Sequence, residues 1–216
     1  MRILIIESCG FTRLGIYSFL LNNKQIEILD FVSIADAIPH MATFNPELVL
    51  INITQLCQNS KFSAEIKTFL DLLQDTAMFC YLDTQYPITN HPVHITNDVY
   101  ILNKQLVTTL LKTIAEGSTY YPPYNTRCIF SEQEILVMNY WMSEMPNHKI
   151  ARKLEISNRT VYVHKRHLAQ KIKVRNRLEF CFVYNFIKYL FWPINEASRA
   201  PISRQIKDEI LTLYKQ

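Results

Sequence analysis

The chain has 216 residues, 49% hydrophobic and 19% charged, with a formal net charge of +4, and is long enough to bury one large core or two small ones. That charge is split: residues 1–126 hold 7 Lys/Arg against 11 Asp/Glu, whereas residues 127–216 hold 16 against 8, so a polyanion partner is expected for the second half. No apolar run is long enough to span a bilayer and no signal-type segment opens the chain, which points to a cytoplasmic protein without a membrane role.

In the first half, aliphatic runs predict strands at Arg2–Glu7, Ile26–Phe31, Leu48–Ile53, Ala77–Leu82 and Val99–Leu102. Helical spacing predicts helices at about Thr12–Asn22, Ser33–Thr43, Ser60–Gln74 and Lys104–Glu116. Nearly continuous runs such as RILII and LVLINI fit strands covered on both faces. Their alternation with helices predicts a five-stranded parallel sheet, doubly wound, over residues 1–116. The stretch 83–98 is polar and holds two prolines, so a fourth helix there is expected to be short or absent. Its HPVH (His91, His94) has metal-like spacing but no further ligands nearby, and we read no metal site. Five cysteines, odd in number and in apolar contexts, predict buried free thiols.

GSTYYPPYNT, residues 117–126, reads as a linker. Beyond it everything is helical. Ser131, Glu134, Phe130 and Ile135 form the pattern of a capping box with a hydrophobic staple. Pro146 and Asn147 open a second helix with Ile150, Ala151 and Leu154 as its apolar stripe. Ser157 caps a third helix running to about Ile172, and a fourth spans roughly Arg177–Trp192. The domain therefore covers 127–192, followed by an extension over 193–216 in which Ile202, Ile206, Ile210 and Leu213 recur at helical spacing.

Ten Lys/Arg fall between Lys149 and Arg177, with Glu155 as the one acid. At 100° per residue, Val161, His164, Leu168 and Ile172 share one side of the third helix, a buried stripe. Arg159, Tyr162, Val163, Arg166, Gln170 and Lys173 share the other. A solvated helix face would mix signs and pair Glu with Lys; this helix has no acid. A short helix, a tight turn and a basic second helix form a helix-turn-helix over about 147–166, whose second helix enters the DNA major groove.

Residues 130–180 resemble the helix-turn-helix domain of the LuxR/FixJ transcription regulators. The matching positions are Phe130, Ser131 and Glu134; Asn147, Ile150 and Ala151; Ile156, Ser157, Thr160, Val161 and His164; and Val174, Asn176 and Arg177. The resemblance implies base reading by Tyr162, Val163 and Arg166. It also implies phosphate contacts by Arg159, Thr160, Lys165 and Lys171, which set affinity and register, with His164 packed in the core. The chain departs from the family at Glu144 and Glu155, where glycine is usual, at Lys149 for glutamate and at Tyr162 for lysine. Glu155 is expected to take a left-handed conformation at about 1 kcal/mol.

The first half resembles the receiver domain that such regulators carry. A working receiver needs an acid pair for Mg²⁺ and a carboxylate nucleophile. Here the acid pair corresponds to Glu7 and Ser8, the acceptor to Asn52, and the helper hydroxyl to Leu82 or a residue one position away. The lysine after the fifth strand corresponds to Lys104, or in direct register to Asn103. A neutral amide is not a carboxylate nucleophile, so the site is a degenerate phosphoacceptor. CGFTRLGIYSFLL and the lost acceptor are similar to auxiliary regulators of the RcsA type. The expected function is a sequence-specific DNA-binding transcription regulator that is not controlled by phosphorylation of its own receiver-like domain. It would act as a homodimer or as a heterodimer with another response regulator. No enzyme activity, catalytic residue, cofactor or metal is expected. The rival is an interaction module that modulates a partner and has little DNA affinity of its own.

Overall fold

A computed structural model describes residues 1–21, 23, 25–59, 63–73, 76–96, 98–117 and 128–191. The expected linker beyond Gly117, the start of the second domain at 127, Trp192 and the extension 193–216 lie outside the described residues. By its contacts the chain forms two compact units, Met1–Thr54 with Ser63–Arg127, and Gln55–Phe62 with Cys128–Gln216.

The first unit is built on a sheet of β1 (Arg2–Ile6), β2 (Glu27–Phe31), β3 (Leu48–Asn52), β4 (Ala77–Leu82), β5 (Val93–Thr96) and β6 (Val99–Asn103). Its order is β2-β1-β3-β4-β6-β5. Five strands run parallel, as the alternating pattern predicts, and β5 pairs antiparallel with β6. That sixth strand is the departure from expectation. Among the described residues of 83–98 there is no helix. Val93 and Ile95 are buried while His94 and Thr96 are half-buried, a period of two that a short edge strand satisfies.

The helices of this half of the chain are α1 (Gly10–Leu20), α2 (Ile34–Ala37), α3 (Met41–Phe44), α4 (Thr54–Gln58), α5 (Ala64–Leu72) and α6 (Lys104–Ala115), with a 3-10 turn at Ile38–His40; from Gln55 on, α4 is counted with the second unit. Ser33, Ser63 and Asn103 each accept a first-turn amide, which fixes where α2, α5 and α6 begin. Ile3, Ile5, Leu48, Leu50, Phe79 and Leu102 pack with Ile16 and Leu20 of α1 and Val107, Leu110, Leu111 and Ile114 of α6. The alternate strand residues Leu4, Ile6, Val49, Ile51, Met78 and Cys80 are buried too, so both faces of the sheet are covered, as parallel sheets require. Cys57, Cys80 and Cys181 are buried free thiols, but Cys128 is half-buried and Cys9 is exposed. The expectation of burial fails for Cys9 because it stands at the N-cap of α1, beside the exposed Gly10 and Phe11.

In the second unit, α7 (Glu132–Met142), α8 (Asn147–Lys153), α9 (Asn158–Ile172) and α10 (Arg177–Phe191) follow in order. Val137, Met138, Ile150, Val161, Leu168, Ile172, Phe180 and Val183 are at or near zero exposure. The capping box is complete: Ser131 accepts from the Glu134 amide, and the Glu134 carboxylate accepts from the Ser131 amide at 2.8 Å. Trp141 stacks on Phe180 with ring centroids 4.8 Å apart. No helix among the described residues is long and apolar enough to cross a membrane.

Candidate nucleic-acid interface

The turn between α8 and α9 sets the angle at which α9 is offered. Glu155 has φ 54 and Glu144, after α7, has φ 59. Both occupy the left-handed region that favours glycine, at a cost of about 1 kcal/mol each. Ser157 then caps α9 by accepting the Thr160 amide at 3.0 Å, and the Ser157 and Thr160 hydroxyls share a hydrogen bond of 2.8 Å.

Val161, Leu168 and Ile172 are fully buried, which turns the opposite face of α9 outward. On it Tyr162 is 65% and Val163 42% exposed, and Arg159, Arg166, His167 and Gln170 are exposed too. Thr160 is half-buried at the start of the helix, and His164 is half-buried with Nδ1 buried and unpartnered by any hydrogen bond. Sequence reasoning passed over His167, which the wheel places one step beyond Arg166. Further exposed cations are Lys149, Arg152, Lys173 and Arg177.

Two of the expected phosphate contacts, Lys171 and Lys165, also meet groups of their own unit. Lys171 reaches back to α7, with Nζ 2.6 Å from the Glu134 carboxylate and 2.8 Å from the Ile129 carbonyl. Lys165 donates to Asn147 Oδ1 at 2.5 Å and lies over the Trp141 ring, 5.2 Å from its centroid. Burial and the nearby Arg177 bring the Lys165 pKa down to about 8. These contacts link α9 to α7 and α8.

The Glu134–Lys171 pair carries a pH dependence. Burial raises the Glu134 pKa, but Lys171 and the Ser131 amide outweigh it and hold the carboxyl below the ordinary 4.5. A lowered acid pKa gives stability that is complete above 4.5 and is lost as pH falls through the folded value. Acid titration of the full chain, followed by tryptophan fluorescence, should show the second unit weakening below about pH 4.5, and Glu134→Gln should flatten that dependence. An unchanged profile in the variant would assign the acid sensitivity to other carboxylates.

In the first unit, the residues expected to form a degenerate acceptor site lie at the carboxyl ends of β1, β3 and β4, where ligands of open α/β sheets bind. Asn52 Nδ2 donates to Glu7 Oε2 at 3.0 Å and to Asp83 Oδ2 at 2.9 Å, while its Oδ1 accepts the Thr54 amide at 3.0 Å. The amide hydrogens therefore bridge two carboxylates, a place where an Asp at this position would set a third negative charge. Glu7 is buried and also accepts from the Tyr81 hydroxyl and, at 2.7 Å, from the Cys9 amide; Ser8 is exposed. Burial and the Glu7 carboxylate push the Tyr81 phenol up. Of the two residues that the expected register allows at the end of β4, Leu82 is within the strand and wholly buried, and Asp83 is the one that meets Asn52. Lys104 pairs with Asp83 at 2.6 Å, and the hydrogen bond to that carboxylate raises the lysine pKa. Asn103 instead caps α6 and donates to the Pro87 carbonyl at 2.9 Å. Lys104 is thus the residue that faces the site. Among the described residues no cluster of three or more His, Cys, Asp or Glu could hold a metal.

A receiver-like sheet unit with Asn52 at the end of β3, followed by four helices with an acid-free basic helix turned outward, defines the class of LuxR-type DNA-binding transcription regulators. Residues 128–183 match the family described as "Bacterial regulatory proteins, luxR family". Residues 2–121, more than half of the chain, match "Transcriptional regulator RcsA, N-terminal dimerisation domain", and the chain belongs to that RcsA family. It is 28% identical over 193 residues to the transcriptional regulatory protein EntR of Citrobacter freundii, covering 82% of this chain and 94% of that one. It is 24% identical over 191 residues to the transcriptional regulatory protein RcsA of Erwinia amylovora, covering 82% and 90%. Among solved structures, RcsB from Salmonella enterica serovar Typhimurium, bound to promoter rprA in the presence of phosphomimetic BeF3-, aligns with a TM-score of 0.50. That alignment is 14% identical and covers 86% of this chain and 98% of that chain; it shows a shared fold.

Proposed function

We propose that this chain is a cytoplasmic, non-enzymatic regulator that reads DNA sequence with Tyr162, Val163 and Arg166 of α9. Arg159 and Thr160 hold phosphates, joined by the exposed cations Lys149, Arg152 and Lys173. Residues 1–116 form its pairing domain, 127–192 its DNA-binding domain, and 117–126 the linker between them. It acts as a dimer, either with itself or with another response regulator, and phosphorylation of its own first domain plays no part. The observation that carries the DNA reading is the outward face of α9, which has no acid and holds Tyr162, Val163 and Arg166 opposite the buried Val161, Leu168 and Ile172. Support for independence from phosphorylation comes from Asn52, whose amide is hydrogen-bonded to both neighbouring carboxylates.

Incubation with acetyl phosphate and Mg²⁺ should leave the intact mass unchanged. A stable adduct that depends on Mg²⁺ would show that another side chain accepts phosphate. The second reading, a docking module with little DNA affinity, gains one observation: Lys165 and Lys171 are engaged within their own unit. Salt separates the two readings, since the logarithm of DNA affinity should fall by roughly 0.9 per phosphate neutralised as the logarithm of salt rises.

A further inference from the structure

Helix α1 carries apolar side chains that the core does not use. Ile16 and Leu20 are buried in the sheet unit, but Phe11 is 91% and Leu14 63% exposed, and Leu21, just past the helix, is 55% exposed. At 100° per residue Phe11, Leu14, Gly15, Ser18 and Leu21 share one side of the helix, opposite Ile16 and Leu20. That side has no charged residue. Arg13, the one charged side chain of α1, is turned to the Glu7 carbonyl at 2.7 Å and the Asp30 carboxylate at 2.7 Å.

Gly15 lies in the interior of α1. Glycine in a helix interior is unfavourable relative to alanine, and its φ is not in the left-handed region. A Cβ built there would meet nothing within 4 Å. Neither backbone geometry nor crowding among the described residues calls for glycine at that position. What a missing side chain allows is close approach from outside. The exposed face thus combines two large apolar knobs, Phe11 and Leu14, with a hollow at Gly15 and the small Ser18.

We propose that this face of α1 is the surface on which two copies of this chain pair, the two α1 helices crossing about a two-fold axis with Phe11 of each against Gly15 of the other. This rests on the reading that the first unit dimerises, in keeping with the family to which residues 2–121 belong. A two-fold interface sets one patch against its own copy. A charged patch would repel itself there, whereas an uncharged one with both knobs and a hollow complements itself. A surface selecting a different partner would instead gain discrimination from charges placed against the wrong one.

The test uses the full chain in sedimentation equilibrium, with melting curves at the lowest workable protein concentration. Phe11→Glu should weaken the dimer at least about tenfold, with the melting temperature of the dilute protein unchanged because the side chain is exposed. Gly15→Ala should move the two readouts in opposite directions, raising the dilute melting temperature through helix propensity while weakening the dimer. A purely local role for Gly15 would raise the melting temperature and leave the dimer intact. If the unaltered chain dimerises and both variants dimerise equally well, the assignment of the surface is wrong while the dimer stands. If the unaltered chain stays monomeric at every concentration, the dimer reading fails too. Pairing only with another response regulator, abolished by Phe11→Glu, would overturn the choice of a second copy as occupant.

Discussion

Leu168→Ala should lower the stability of the second unit by about 2–5 kcal/mol, the usual cost of removing a buried leucine and leaving a cavity. Leu168 is wholly buried on α9, in line with Val161 and Ile172, which are also at zero exposure. These three side chains hold α9 against its unit, so the cost falls on the fold and only through it on DNA binding. Urea unfolding monitored by tryptophan fluorescence measures it, Trp141 lying in this unit against Phe180. A loss below 1 kcal/mol would mean that the stripe does not anchor the helix and that its outward face is misassigned.

Arg166→Ala should leave the fold intact and narrow the gap between specific and non-specific DNA by about 1–3 kcal/mol, mainly at one base pair. Arg166 is exposed on the face that also carries Tyr162 and Val163. Its guanidinium can donate two parallel hydrogen bonds to a guanine edge, a geometry that Lys cannot copy. Val163 can rest on a thymine methyl. Tyr162 can donate or accept a single hydrogen bond, which makes it the weakest discriminator of the three. A panel of single-base operator substitutions reads the result. Equal loss on every sequence would make Arg166 a phosphate clamp.

Much of this was legible in the residues because local rules decide it. The Ser131–Glu134 capping box needs only a spacing of three, and it forms as that spacing predicts. The buried stripe of α9 follows from 3.6-residue periodicity, and Glu155 had to turn left-handed for α8 and α9 to meet at this angle. What escaped depends on partners far along the chain. A wheel puts Lys171 at the rim of α9 but cannot see Glu134, 37 residues earlier, that captures it. Lys165 is likewise taken by Asn147. In the first unit, Leu82 and Asp83 differ by one position at a strand end, and a shift of one reverses the face; the structure turns Asp83 to Asn52. The strand β5 was hidden because its alternation spans four residues only and follows Pro87 and Pro92.

On the proposed reading, α9 reads sequence without any phosphoryl signal from the first unit. Selection from a random duplex library by the full chain, in buffer free of phosphodonor, tests it most directly. One motif should be enriched, unchanged when acetyl phosphate and Mg²⁺ are added and lost when Tyr162, Val163 and Arg166 are all replaced by alanine. Enrichment that appears only with the phosphodonor, or that survives the triple replacement, would contradict it.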